Sequence, residues 1–182
     1  GKDTVFGAKI LAEIIVFAAL SAALYTLTLP FLTLPFGGSV TAGSMVPIFW
    51  LALRRNYKVG IISGVIFGLA ALPIDIIRLP YSPIAANPAS VIFDYIIAFG
   101  VLGIAGLFKK YPLLGVAVAS ILKFFSHFIS GIIFWSIYAE YYGLSPIVYS
   151  AIYNGSFMTA ETIISLVLMY IIIKYKYLKI YM

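Results

Sequence analysis

The sequence predicts an all-α fold: a polytopic integral membrane protein of six transmembrane helices, with the N- and C-termini both cytoplasmic. Three observations predict it. The 182 residues are 63% hydrophobic and only 10% charged, with a mean hydropathy of +1.09. That leaves too little polar surface for a water-soluble domain and makes lipid the solvent for most of the chain. The apolar runs have spanning length, roughly 20 residues each, and six of them with short connections use up residues 1–182 as a single transmembrane domain. The third observation is the sidedness of charge. Lys2 and Lys9, then Arg54, Arg55 and Lys58, then Lys109 and Lys110, then Lys174, Lys176 and Lys179 fall on one side, while the other side receives only Arg78. The positive-inside rule puts the first side in the cytoplasm.

Helix one spans 6–29 and is ended by Pro30; its run continues too far for a cleaved leader. A charge-free outer loop, 30–41, follows, rich in Pro, Gly and Thr. Helix two is short, 42–53, and stops at Arg54, Arg55 and Asn56. Helix three covers 58–77, with several glycines for close packing. The three prolines of 78–88 demand an irregular connection. Helix four is 89–108, closed by Lys109, Lys110, Tyr111 and Pro112. Helix five is 113–137. Helix six is 146–173, with Ser145 as N-cap and Pro146 at the first helical position.

The net charge of +6 belongs to the cytoplasmic loops, and no nucleic-acid partner is expected. With no cysteine and one histidine, a zinc site and thiolate chemistry fall away. There is no phosphate-binding loop ending in Lys-Ser/Thr, no nucleophile elbow and no pair of catalytic carboxylates. The chain is therefore expected to be no enzyme, to hold no cofactor or metal, and to leave ATP hydrolysis to others.

The informative residues are polar ones at membrane depth, each costing about 2.5–3.5 kcal/mol at a helix centre if it lacks a partner. Asp94 and Tyr95 lie in helix four. Lys123 and His127 are one turn apart in helix five, and Gly131, Trp135 and Tyr138 continue the same broad face. Tyr149 and Asn154 open helix six. Most lie in the outer halves of their helices and converge on an outward-opening pocket. One carboxylate among aromatic rings suits a small aromatic cation, held by ion pairing, stacking and cation–π attraction. A plainer reading stays open: Asp94 and Lys123 satisfy one another, and the aromatics are interfacial belts. Asp3 and Glu13 read as interfacial, Asp75 and Arg78 as a local pair one turn apart, and Glu161 as the partner of some buried donor.

The segment KFFSHFISGIIFWSIYAEYYGLSPIVYSAIYNG, residues 123–155, closely resembles the thiamine-specific substrate-binding subunit (S component) of energy-coupling factor (ECF) transporters. Lys123, His127, Gly131 and Trp135 match that family's spacing in helix five. Tyr149 and Asn154 match its sixth helix, and Asp94-Tyr95 its acidic residue followed by Tyr. The resemblance implies a cell-membrane receptor that binds thiamine through these residues, and Tyr138 joins them as a candidate from its helix face alone. It also implies partners: a transmembrane coupling subunit and two ATPase subunits, docked through small residues of helix one. Independently, Ala8, Ala12, Ala19 and Ala23 fall within about 60° of one another at 100° per residue, a stripe that suits close helix packing. Internal packing against helix two or six is the alternative use of that stripe.

Departures from the family pattern widen the choice of ligand. Asp94 stands in place of Glu, the 30–41 loop has Phe31 and Phe36 but no Trp, Phe67 replaces another Trp, and Tyr81 aligns loosely with a third-loop aromatic. Another small vitamin or a pyrimidine precursor is the alternative ligand. A proton- or sodium-coupled secondary transporter working through Asp94, Lys123 or His127 is the alternative function. Tyr149 and Asn154 are about 140° apart on a regular helix, so both are expected to face one pocket only if the backbone there is irregular, near Gly155.

Overall fold

The first helix, α1 (Ala8–Tyr25), ends earlier than its apolar run requires. The hydroxyl of Thr26 donates to the Ala23 carbonyl at 2.6 Å, and the chain then extends to pair with residues 40–42. Leu29 N–H donates to Val40 O at 2.8 Å and Ala42 N–H to Leu27 O at 3.0 Å, around a single antiparallel bridge between Thr28 and Thr41. The computed structural model describes residues 7–30, 32, 34–79, 82–84 and 87–177, and among these no strand forms. Asp3, Phe31 and Tyr81 lie outside the described residues.

Helix α2 (Val46–Arg54) carries Pro47 in its first turn and is almost wholly buried. Nine residues rise only about 13.5 Å, too little to cross a hydrocarbon layer of roughly 30 Å. It serves as a plug, with Ile48, Phe49, Leu51 and Ala52 fully enclosed. Helix α3 (Tyr57–Arg78) is capped by Asn56, whose side chain accepts Val59 N–H at 2.9 Å. Helix α4 (Ile92–Leu107) is not the uniform helix expected over 89–108. It opens with a π turn over Ile92–Ile97, passes through one α turn at Ala98–Gly100, and ends as a 3-10 helix over Val101–Leu107.

Helix α5 (Pro112–Phe134) stops short of the expected 137. Trp135 leaves the helical region at φ −118°, ψ 18°, and a separate short helix, α6 (Ser136–Tyr141), follows. Helix α7 (Pro146–Lys174) begins as its sequence predicts, the Ser145 hydroxyl accepting Val148 N–H at 3.2 Å. Among the described residues, α1, α3, α5 and α7 are long and apolar enough to cross a membrane, and α4 is a shorter apolar helix.

Glycines set how closely the wall helices approach. A Cβ on Gly68 would collide with the Tyr95 carbonyl oxygen, and one on Gly64 with that of Phe99. Only hydrogen fits there, so α3 lies directly against the backbone of α4 and fixes the height of Asp94 and Tyr95. At the opposite end from the 26–45 loop, Glu13 is not merely interfacial. It accepts a two-pronged bond from Arg55, Nε and Nη2 each at 2.8 Å, which pins α1 to the α2–α3 turn. That bond pushes the Arg55 guanidinium still higher, so it stays charged at any working pH. Outward-facing apolar side chains such as Leu11, Ile15, Ile77, Ile137 and Ile147 form the surface, as lipid contact requires.

Candidate functional site

The end of α1 at Tyr25, the C-terminal turn of α3, helices α4, α5 and α7, the α5–α6 junction and the 36–45 loop surround a cavity of about 450 Å³. That is within the range of small-molecule sites, about 300–1,000 Å³. All nine residues singled out by sequence lie on its wall: Asp94, Tyr95, Lys123, His127, Gly131, Trp135, Tyr138, Tyr149 and Asn154.

The π turn delivers Asp94 to the centre of the polar wall; such bulges often occur at functional positions. Its Oδ1 accepts from His127 Nδ1 at 2.9 Å, and its Oδ2 accepts from the Ser130 hydroxyl at 2.7 Å and from Trp135 Nε1 at 3.3 Å. On the far side of the imidazole, His127 Nε2 lies 2.9 Å from Lys123 Nζ. An ammonium has three donors and no acceptor, so with Lys123 protonated Nε2 accepts, and the ring proton sits on Nδ1 facing Asp94. Asp94 and Lys123 therefore do not pair directly: a neutral imidazole stands between them. The Lys123 ammonium lies 4.3 Å from the Phe99 ring centroid and 5.8 Å from that of Phe157, within cation–π range.

Tyr95 contributes differently from the expectation. Its hydroxyl donates to Asp75 Oδ2 at 2.7 Å, leaving its ring as the face it can offer, and that ring stacks nearly parallel on Phe99. Asp75 does pair with Arg78, at 3.0 Å, but it is also a shared acceptor that the sequence did not disclose. Glu161 finds its buried donor in Thr41, accepting the backbone N–H at 2.6 Å and the hydroxyl at 3.2 Å. It thereby ties α7 to the root of the loop.

Tyr149 and Asn154 both line the cavity although α7 is an unbroken α-helix through this region. The expected irregularity near Gly155 is absent. The cavity is wide enough to be reached from two sides of one helix: Tyr149 lies at its rim, stacked on Tyr142 with Phe36 5.4 Å away, while Asn154 lies deeper. The Asn154 amide nitrogen donates to His127 O at 3.2 Å and to Ser150 O at 3.1 Å, which fixes its orientation and leaves its carbonyl oxygen for the cavity. Gly131 is there for clearance. A Cβ would strike the Ser150 hydroxyl and lie 3.3 Å from Asn154 Nδ2.

Sequence reasoning missed Ser130, Phe99, Phe157 and Glu161 as wall residues or neighbours of the wall. Ser130 had a usable signal, three residues after His127 and seven after Lys123 on one helical face. Phe67 is fully buried against Tyr25 and Phe99 and is not a wall residue. Ala8, Ala12, Ala19 and Ala23 are exposed on α1, whereas Ala18 faces the core, so the stripe does not pack inside the protein.

The family model described as "Thiamine transporter protein (Thia_YuaJ)" matches residues 11–181. The thiamine transporter ThiT of Bacillus subtilis (strain 168) is 31% identical over 170 residues, covering 85% of this chain and 84% of that protein. The thiamine transporter ThiT of Lacticaseibacillus paracasei is 32% identical over 139 residues, 68% of this chain and 67% of that one. The solved structure of ThiT from Listeria monocytogenes superposes with a TM-score of 0.73, covering 91% of this chain and 93% of that chain at 23% identity, and so shares the fold.

Proposed function

The chain belongs to the thiamine transporter protein family, and on that premise we propose that its cavity binds thiamine as the substrate-specificity subunit of an ATP-driven ECF importer. It is a multi-pass protein of the cell membrane. The short α2, together with the segment that leads into it, returns the chain as one of six membrane passages, so residues 1–182 act as one domain with both termini cytoplasmic that performs binding rather than catalysis.

The observation that carries the reading is the charge of the wall. Asp75, Asp94 and Glu161 supply three carboxylates, and Arg78 and Lys123 supply two cations. With His127 neutral the formal balance is 2 − 3, or −1, which a singly charged cation completes. Aromatic faces from Tyr95, Trp135, Tyr138 and Tyr149 surround that charge, as a flat cationic heterocycle requires. Energy comes from a transmembrane coupling subunit with two ATPase subunits, and the exposed alanine stripe of α1 offers a surface smooth enough to meet it.

The test uses the two tryptophans. Trp135 lines the cavity, whereas Trp50 packs on Phe17 away from it. Thiamine titrated into the purified protein should quench fluorescence, and Trp135→Phe should remove most of that signal. Tight binding of riboflavin or biotin with no binding of thiamine would refute the assignment. The Asp94–His127–Lys123 line also fits the coupling of uptake to protons. Uptake into proteoliposomes lacking any ATPase would favour that second reading.

A further inference from the structure

The cavity wall holds a buried carboxylate, Asp75, whose bonds run away from the Asp94 cluster. Asp75 on α3 is 5% exposed. Its Oδ2 accepts two phenolic hydroxyls, Tyr25 from α1 and Tyr95 from α4, each at 2.7 Å. Its Oδ1 accepts Arg78 Nε at 3.1 Å and Nη2 at 3.0 Å. Arg78 then reaches back, Nη1 donating to the Tyr25 carbonyl at 2.9 Å, with the guanidinium carbon 4.6 Å from that ring's centroid. Three helices meet at one carboxylate.

Arg78 alone would neutralise Asp75, so the two phenols do something else: they link elements. Tyr95 follows Asp94 directly in the π turn, so its hydroxyl anchors the turn that carries the central carboxylate of the cavity. Tyr25 is the last residue of α1. Its carbonyl is among the last four of the helix, which have no partner inside the helix, and Arg78 supplies both a donor and a positive charge there. Helix α1 packs on α2 and α3, and its other face carries the exposed alanine stripe.

We propose that Asp75 couples occupancy of the cavity to the last turn of α1, through the hydroxyls of Tyr95 and Tyr25. A ligand seated against Asp94 and the Tyr95 ring sets the position of the Tyr95 hydroxyl, and the shared oxygen passes that position to Tyr25. The helix so reached is the one whose outer face is open to a partner in the bilayer. The proposal rests on the thiamine reading only for its choice of ligand.

Hydrogen exchange on the full-length protein in lipid nanodiscs tests it in two arms, with Tyr25→Phe as the mild variant and Asp75→Asn as the second. Without ligand, Tyr25→Phe should speed exchange at residues 22–27 and also at Ile92–Ile97, which is distant in sequence. A rise confined to α1 overturns the link. At saturating thiamine, the wild type should gain protection in both segments and Tyr25→Phe in Ile92–Ile97 only, while Asp75→Asn, which removes a wall charge, is read in the ligand-free arm, where it should match Tyr25→Phe. Full α1 protection in Tyr25→Phe, or none in the wild type while Ile92–Ile97 is protected, overturns the proposal. Absence of thiamine protection anywhere in the wild type counts against the thiamine reading, and the ligand-free arm still decides the link.

Discussion

Replacing Gly131 by alanine should damage the site without touching any charge. The added Cβ would lie 2.9 Å from Ser150 Cβ, closer still to its hydroxyl, and 3.3 Å from Asn154 Nδ2. Carbon atoms rest at about 3.5–4.0 Å, so α7 must retreat by about 0.6 Å or more, because Ser150 Cβ is bonded to the backbone and cannot rotate away. The Ser150 hydroxyl donates to Phe128 O at 2.8 Å and accepts from Asn154 at 3.0 Å, and both bonds stretch. Overpacking of this kind costs about 1–3 kcal/mol, and each neutral hydrogen bond about 0.5–1.5 kcal/mol. We expect stability to fall by about 2 kcal/mol and, with Asn154 displaced, thiamine affinity to fall about tenfold, or about 1.4 kcal/mol. Calorimetric titration and thermal unfolding of Gly131→Ala measure both. Adding Ser150→Gly, which removes the obstructing Cβ, should restore most of the affinity. Ser150→Ala should not, because the Cβ remains. Equal rescue by the two would refute the reasoning, since the hydroxyl alone would then be the obstacle.

Further outcomes follow from the wall and the surface. Asp94→Asn removes the charge that three donors converge on, and should weaken thiamine by about 1.5–3 kcal/mol, or roughly 10–150-fold by calorimetry. A neutral pyrimidine precursor should lose less if the carboxylate faces the thiazolium ring, and equal losses would place it against the aminopyrimidine. Ala19→Trp adds bulk to an exposed position on α1. It should abolish uptake in a reconstituted complex while leaving thiamine binding intact, and a joint collapse of binding and uptake would sink the docking idea.

Much of the layout was legible because helix periodicity and end signals are local. Ser145 and Pro146 announce α7, Asp75 and Arg78 pair across one turn, and Lys123, His127 and Gly131 share a face at spacings of four. What was not legible depends on contacts between distant segments. Residues 27–29 leave α1 because 40–42 offer a backbone to pair with. Nothing in Phe134-Trp135-Ser136 marks a helix end by composition; the break coincides with the indole reaching Asp94, 41 residues away. Nor could spacing reveal that the Tyr95 hydroxyl belongs to Asp75 on another helix.

Three of the departures gather at the cavity. The π turn, the break at Trp135 and the diverted Tyr95 hydroxyl all lie on the cavity wall, while α7, whose start and extent follow the sequence signals, supplies the rest of that wall as a regular rod. A regular helix repeats every 3.6 residues and offers only fixed directions to its side chains. Widening one turn at Ile92–Ile97 changes the azimuth of Asp94 relative to Phe99, so one side chain can meet α5 donors while the next, Tyr95, turns to α3. Ending α5 at Phe134 lets the Trp135 indole aim its N–H at the same carboxylate. Each irregularity sacrifices helical hydrogen bonding in a membrane, where unsatisfied backbone is costly, and each directs a donor or acceptor to Asp94 or Asp75. Local rules that fail together around one site are the mark of function overriding fold preference. Restoring regularity there should therefore stabilise the protein and weaken its binding. Deleting one residue between Ile92 and Ile97 would convert the π turn to α. Thermal unfolding should then occur higher and thiamine binding should disappear, and retained binding would show that the π turn is incidental.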